Sequence, residues 1–200
     1  MGGKIMFIHT DFLRAALCCV ADEKEERKYL RGVRITPTHI QACNPGACVS
    51  MEHGGDSTVE GVFIFDNLHI PDSAEMTDIG TFDGEWFAIH YDENEYRMGF
   101  SRVTKIECRY PDFSKLLPAE PEPCDALPAF QAKYLALPQQ MFGDLGCVAV
   151  KFKPYGKEAG CQLIFDDGVN YMYGNPFMVI MPLRDNAFDL LAEVLNEKGI

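Results

Sequence analysis

The stretch MVIMPLR, residues 178–184, near the end of the chain, decides the fold. An apolar run of this length is typical of a buried strand, and Pro182 ends the strand's hydrogen bonding because proline has no N–H to donate. Met181 and Leu183 then lie beside the strand's end, where flexible apolar side chains can line a groove. The local pattern by itself favours a simpler interpretation, a terminal core strand with a polar cap.

Composition indicates a globular protein. The chain has 200 residues, of which 47% are hydrophobic and 24% charged, enough for one domain or two small ones with a real core. The formal net charge of −12 argues against a generic nucleic-acid coat, which would be basic. It is compatible with basic residues gathered on one surface.

The eight cysteines predict no metal site. There is no Cys-x-x-Cys pair, and Cys43 and Cys48 lack a second ligand pair at zinc-finger spacing. Most cysteines have apolar neighbours and are interpreted as small core residues in a reducing compartment. The apolar run at the amino terminus is too short for a signal peptide and no stretch approaches a membrane span, so we expect a cytoplasmic protein without a membrane partner.

The apolar spacing predicts a strand, a helix capped by Thr10 or Asp11 and a three-strand meander, followed by a similar strand-rich order. We expect residues 71–80 to be loose, 139–145 to form a short helix or turn, and 166–168 to form a hairpin turn. An amphipathic helix is predicted at 185–198. The predicted strands are 4–8, 30–35, 40–43, 48–51, 62–65, 86–91, 96–100, 103–108, 130–135, 147–153, 161–165 and 177–181.

Residues 119–128 are the best linker candidate because they are rich in proline, which favours extended backbone. They divide the chain into a unit at 1–118 and a shorter unit at 129–200.

No enzymatic chemistry is apparent in the sequence. The five histidines are scattered and form no His-x-x-x-His or His-x-Glu pattern, and no phosphate-binding Gly-rich loop is present. Because no nucleophile–base pair can be proposed, we expect neither an enzyme nor a cofactor.

Four motifs resemble the bacterial DNA polymerase III β subunit, the sliding clamp. RYPDFSKLLP at 109–118 is similar to the RFPDYRRVLP run that closes the clamp's middle domain, and MPLR at 181–184 is similar to the clamp's C-terminal signature. ERKYLRGV at 26–33 resembles the family's RYYLNG run. ACNPGAC at 42–48 stands where the clamp has ATDGHRL, without the His and Arg.

The resemblance implies an α+β processivity fold of antiparallel sheets with few short helices. It also implies a protein that encloses double-stranded DNA and tethers a DNA polymerase, or another partner, through a short peptide. The peptide pocket would lie between the unit at 1–118, resembling the clamp's middle domain, and the abbreviated unit resembling its last domain. The pocket residues implied by the motifs are Asn44, Gly46, Pro118, Met181, Pro182, Leu183 and Arg184.

The chain departs from the clamp pattern in length. The family has three domains and usually ends near the MPLR motif, whereas this chain has room for about one and a half domains and a further helix. We therefore expect a reduced clamp of phage or mobile-element type. One chain is too short to encircle a duplex, so a clamp would have to be a homo-oligomer.

Contact with DNA would require cations facing phosphates. The candidates are Arg14 on the first helix, Lys28, and Lys151 with Lys153, which share one face of a strand. A simply solvated surface is an equal alternative for these residues. Two other functions remain open: a stand-alone peptide-binding module or adaptor that does not encircle DNA, and an enzyme or ligand binder that shares only strand patterns.

Overall fold

A computed structural model describes residues 7–55, 59–66, 70–122 and 127–197. The strands are β1 Phe7–His9, β2 Val33–Ile35, β3 His39–Asn44, β4 Ala47–Glu52, β5 Gly61–Phe65, β6 Met76–Phe82, β7 Glu85–Tyr91, β8 Arg97–Ile106, β9 Val150–Pro154, β10 Cys161–Phe165 and β11 Phe177–Ile180. The helices are α1 Thr10–Cys18, α2 Ala132–Leu135, α3 Leu137–Phe142, α4 Asp167–Met172 and α5 Ala187–Glu197, with 3₁₀ turns at Lys28–Arg31, Phe113–Lys115 and Gly143–Leu145.

All eleven of these strands join one antiparallel sheet in the order β1-β6-β7-β8-β5-β2-β3-β4-β11-β10-β9. The strands β1–β4 and β5–β8 form two consecutive groups of four along the chain. The first strand of each group pairs with a strand of the other group, because β1 pairs with β6 and β5 pairs with β2. This confirms the predicted α+β class of antiparallel sheet with few short helices.

The two predicted units share one sheet and one core. β11 pairs with β4, placing Met178 opposite Val49. Helix α1 packs against α3, and Leu13, Phe142 and Met178 are fully buried in the same apolar cluster. The domain boundaries at 118 and 129 remain a prediction, because the sheet continues across the join.

The predicted cap of α1 is wrong. His9 is the N-cap, and its Nδ1 accepts a hydrogen bond from the Asp11 N–H at 3.5 Å. Thr10 is fully buried, and its hydroxyl lies 2.9 Å from that of Thr77. The Thr10 side chain is therefore used in the core rather than at the helix end.

Residues 76–80 of the stretch predicted to be loose belong to strand β6, which continues to Phe82. Thr77 lies on the core face of β6. Because it is polar, the sequence of this strand lacks the regular alternation of apolar residues that predicts a strand. Its hydroxyl lies 3.0 Å from Nδ1 of the buried His90, whose Nε2 lies 3.1 Å from the Ser101 hydroxyl. These contacts satisfy the buried polar groups and make the strand possible.

Two short helices replace predicted extended or turn structure. Residues 132–135 form one helical turn instead of a strand, with Gln131 as its extended N-cap and Tyr134 buried. Asp166 begins helix α4 instead of a hairpin, because its carboxylate accepts the N–H groups of Gly168 and Val169 at 2.8 and 3.1 Å.

Some predictions fall on residues outside the described ranges: the start of the first strand at 4–6, positions 123–126 of the linker, and residue 198 of the last helix. Helix α5 confirms the amphipathic helix over 187–197, whereas residues 185 and 186 form a turn before it. Within the described ranges, no helix has both the length and the apolar character needed to cross a membrane.

Candidate peptide-binding groove

The tight turn between β3 and β4 contacts the end of β11. Ile180 pairs with Ala47, and the N–H of Met181 donates to the Gly46 carbonyl at 2.8 Å. Asn44 holds the turn from within: its Oδ1 accepts the N–H groups of Gly46 and Ala47, both at 2.9 Å. Its amide Nδ2 donates to the Cys19 carbonyl at 3.2 Å. Two segments more than 130 residues apart are thereby joined directly.

A groove of about 190 Å³ opens beside this junction. Its lining is mostly apolar, and Arg27 is the one charged side chain among the described lining residues. The Arg27 guanidinium is paired with Glu25 at 2.7 Å. The lining residues are Arg27, Tyr29, Leu30, Cys43, Asn44, Pro45, Ala47, Cys48, Pro111, Phe113, Leu116, Val179 and Met181.

A small apolar cluster supports the groove from below. Leu30, Phe113 and Val179 are buried in it together with Cys43 and Cys48. This cluster is separate from the main core, so the groove has its own packed base.

The groove's two cysteines are uncharged. Burial raises the pKa of Cys43, and it raises the pKa of Cys48 to about 12. Both thiols therefore remain protonated near neutral pH. The Cys43 thiol donates to the Tyr110 hydroxyl at 3.4 Å, and burial raises the pKa of Tyr110 as well. The base of the groove is consequently neutral and suits apolar side chains.

The residues that the motifs implied for one pocket do not all lie at the same cavity in the structure. Asn44 and Met181 line the groove, and Gly46 lies behind them against the Tyr134 ring. Pro118 is exposed and is not among the lining residues. The chain turns away after Met181, because the Leu183 N–H donates to the Ala129 carbonyl at 2.7 Å.

Pro182, Leu183 and Arg184 therefore line a different cleft, of about 590 Å³, with Glu158, Asp185 and Asn186. The motif stretch contributes to two sites rather than to one.

Sequence reasoning missed several lining residues. Pro111 and Phe113 belong to the RYPDFSKLLP motif, which was the available signal for them. Arg27 and Tyr29 lie in the ERKYLRGV stretch. These motifs therefore contribute lining residues to the groove, but which of their side chains face it was not predicted.

A second cavity of about 450 Å³ adjoins the groove across the turn. Asn44 and Pro45 line both cavities, and Lys133 and Gln140 line the far side of the second one. The turn thus separates an apolar groove from a more polar cavity.

The four predicted DNA-facing cations lie on three separate elements. Arg14 on α1 is held by its own chain, because it donates to Asp11 at 2.7 Å and to the carbonyls of Pro71 and Asp72 at 2.6 and 3.0 Å. Lys28 is exposed. Lys151 and Lys153 are exposed on β9, an edge strand.

No metal site emerges from the described part of the chain, where no group of three His, Cys, Asp or Glu side chains could hold an ion.

This architecture is that of the bacterial DNA clamps, which confirms at the level of the fold the resemblance carried by the motifs. No known protein-family profile and no curated protein sequence matches the chain. Among solved structures, the chain is similar to the β subunit of the DNA polymerase of Streptococcus pyogenes, with a TM-score of 0.58 and 13% identity over 89% of this chain and 65% of that one.

Two other clamp structures agree. A protein assigned as a DNA polymerase III β subunit from Eubacterium rectale gives a TM-score of 0.59 and 11% identity, covering 92% of this chain and 66% of that one. A DnaN sliding clamp from Bartonella birtlesii, bound to griselimycin, gives 0.55 and 13%, covering 92% and 67%. The chain thus spans about two thirds of the length of these proteins.

Proposed function

We propose that the protein is a non-enzymatic, clamp-like processivity factor that acts in the cytoplasm. It would tether a DNA polymerase, or another partner carrying a clamp-binding peptide, to double-stranded DNA. The observation that carries the proposal is the apolar groove beside the Gly46–Met181 hydrogen bond, on a clamp fold. A groove with neutral thiols at its base and a single arginine at its edge suits a peptide containing Leu and Phe.

The groove is expected to bind such a peptide with micromolar affinity. A peptide with Gln followed by Leu and Phe should bind with about −8 kcal/mol, since ordering a flexible peptide offsets much of the contact energy. Met181→Ala should weaken binding about tenfold, because it removes a flexible apolar side chain from the groove wall. Isothermal titration calorimetry measures both affinities.

Met172→Ala is the matched control for the calorimetry. Met172 is 50% exposed on α4 and Met181 is 40% exposed, but only Met181 lines the groove. The control should bind like the unaltered protein. Equal binding by the Met181 variant, or no binding by any protein at millimolar peptide, would remove the groove from the proposal.

Enclosure of DNA predicts retention by topology rather than by contact. We expect a cyclic homo-oligomer that stays on loaded circular DNA far longer than on linear DNA, whose ends let it slide off. Affinity for linear DNA should be weak and salt-dependent, since the net charge of −12 opposes binding to a polyanion.

If Lys28, Lys151 or Lys153 contacts a phosphate, its removal should lower the slope of log affinity against log salt by about one.

Light scattering and retention on circular DNA together test the ring. A protein that is monomeric at high concentration and is lost equally from circular and linear DNA is not a clamp. The second candidate, a peptide-binding adaptor that does not encircle DNA, would then be the better account. The engagement of Arg14 by Asp11 and by two backbone carbonyls favours that candidate, because it leaves this cation little freedom to meet phosphate.

A further inference from the structure

Two cysteines face each other at the base of the groove. Cys43 on β3 lies directly opposite Cys48 on β4, next to the pair Asn44–Ala47 that closes the turn. Residues directly opposite on antiparallel strands share one face of the sheet, and their Cα atoms are about 4.5 or 5.5 Å apart. Both separations lie within the range of about 4.4–6.8 Å that a disulfide spans. The two sulfur atoms can therefore be joined without a rearrangement of the hairpin backbone.

This arrangement is specific to Cys43 and Cys48 within the described ranges. The other cysteines described there pack in or against the main core, or lie exposed outside the strands: Cys18, Cys19, Cys108, Cys147 and Cys161. Cys43 and Cys48 belong instead to the apolar cluster below the groove. Both also line the groove itself, which gives a small molecule a route to them.

The Cys43 thiol supports the aromatic side of the groove through Tyr110. The thiol donates to the Tyr110 hydroxyl at 3.4 Å. The Tyr110 ring in turn lies 6.4 Å from the Tyr29 ring and 5.8 Å from the Phe113 ring. Tyr29 and Phe113 line the groove. A disulfide has no S–H to donate, and a partly buried hydroxyl that loses its donor turns toward another partner or water.

We propose that Cys43 and Cys48 are a redox pair whose cross-strand disulfide reshapes the groove by releasing Tyr110. In the reduced protein the thiol holds Tyr110 behind Phe113 and Tyr29. In the oxidised protein the Tyr110 ring moves toward solvent, and the two neighbouring rings move with it. The proposal rests on the proposed function, because it concerns control of the same groove. In a reducing compartment the disulfide is transient and forms when small-molecule disulfides accumulate.

The oxidant is a small-molecule disulfide, RSSR. The Cys43 thiolate attacks one sulfur of RSSR to form a mixed disulfide, and the RS⁻ that leaves takes up the proton released by Cys43. The Cys48 thiolate then attacks the Cys43 sulfur, and the second RS⁻ leaves and takes up the Cys48 proton. The pair loses two electrons, and RSSR is reduced to two RSH. Because burial raises the pKa of both thiols, the rate should rise about tenfold per pH unit below those pKa values.

Incubation of the full chain with bis(2-hydroxyethyl) disulfide tests the pair. Trypsin releases residues 35–97 as one fragment, and this fragment contains Cys43, Cys48 and no other cysteine. After oxidation the fragment should be lighter by two hydrogen atoms and resist alkylation, and dithiothreitol should reverse both changes. Cys48→Ser keeps the Cys43 thiol and should not show the mass loss. Cys147→Ser is the matched control, since Cys147 is exposed and outside the groove, and it should oxidise like the unaltered protein.

Isothermal titration calorimetry of the reduced and oxidised proteins measures the effect on the groove. Oxidation should weaken binding of the peptide containing Leu and Phe about tenfold, because Tyr110 no longer holds the groove in its binding shape. Tyr110→Phe has no hydroxyl to release, so its oxidised and reduced forms should bind the peptide equally. This variant separates the effect of Tyr110 from that of the disulfide itself.

Three results would overturn the proposal. They are a 35–97 fragment that keeps both hydrogens, equal peptide affinity of the oxidised and reduced proteins, and an equal loss of affinity on oxidation of Tyr110→Phe. Absence of peptide binding by the reduced protein would instead contradict the proposed function. Near-ultraviolet circular dichroism would then decide the present proposal: the aromatic signal should change on oxidation of the unaltered protein, and an unchanged signal would overturn it.

Discussion

Gly174→Ala is expected to lower the free energy of unfolding by about 3 kcal/mol or more. Gly174 has a φ of +60°, a conformation that side-chain-bearing residues rarely adopt. A Cβ at this position would also collide with the backbone of Glu52, whose N–H donates to the Gly174 carbonyl at 2.8 Å. The substitution therefore strains the backbone and separates the α4–β11 turn from the end of β4. Urea denaturation measures the loss.

Gly84→Ala is the matched control for this experiment. Gly84 has a φ of +81°, and a Cβ there would meet no atom within 4 Å in the structure. Gly84→Ala should lower the free energy of unfolding by about 1 kcal/mol, which is the cost of holding an alanine at a positive φ without a steric clash. If Gly174→Ala and Gly84→Ala lowered the free energy of unfolding equally, the close approach of Gly174 to Glu52 would make no contribution to stability.

Phe142→Ala is expected to destabilise the protein by about 3–5 kcal/mol. Phe142 is fully buried, with ring centroids 5.1 Å from Phe165 and 4.7 Å from Tyr173. Tyr173 in turn lies 6.1 Å from Phe12 on α1. Because this aromatic cluster joins the two predicted units, the whole chain should still unfold in one transition, shifted to lower denaturant.

Tyr171→Ala should change stability by no more than about 0.5 kcal/mol, because that ring is 87% exposed. Circular dichroism and tryptophan fluorescence distinguish the outcomes, since Trp86 lies in the first unit. Two separate transitions, with the Phe142 variant shifting only one of them, would show that the units fold independently.

Local pattern determined most of the strands correctly. Alternation over 40–43 and 86–91 was sufficient because each of these strands has a buried face and its hairpin partner follows after a short turn. The strand at 48–51 was also predicted, although both of its faces are buried. It failed at β6, where the core face carries Thr77. The burial of that hydroxyl depends on Thr10 and His90, 67 and 13 residues away along the chain.

The candidate groove likewise combines features that local sequence predicts with features that depend on long-range contacts. The sequence by itself determined that Met181 ends an apolar strand and that the turn at Asn44 is tight, since proline and an Asx side chain act on their own neighbours. Only the tertiary structure decided that Met181 and Asn44 share a groove while Pro182 to Arg184 face another cleft. That outcome depends on the β4–β11 pairing and on the Leu183–Ala129 hydrogen bond. Such long-range pairing is set by how the whole chain packs, and no local pattern encodes it.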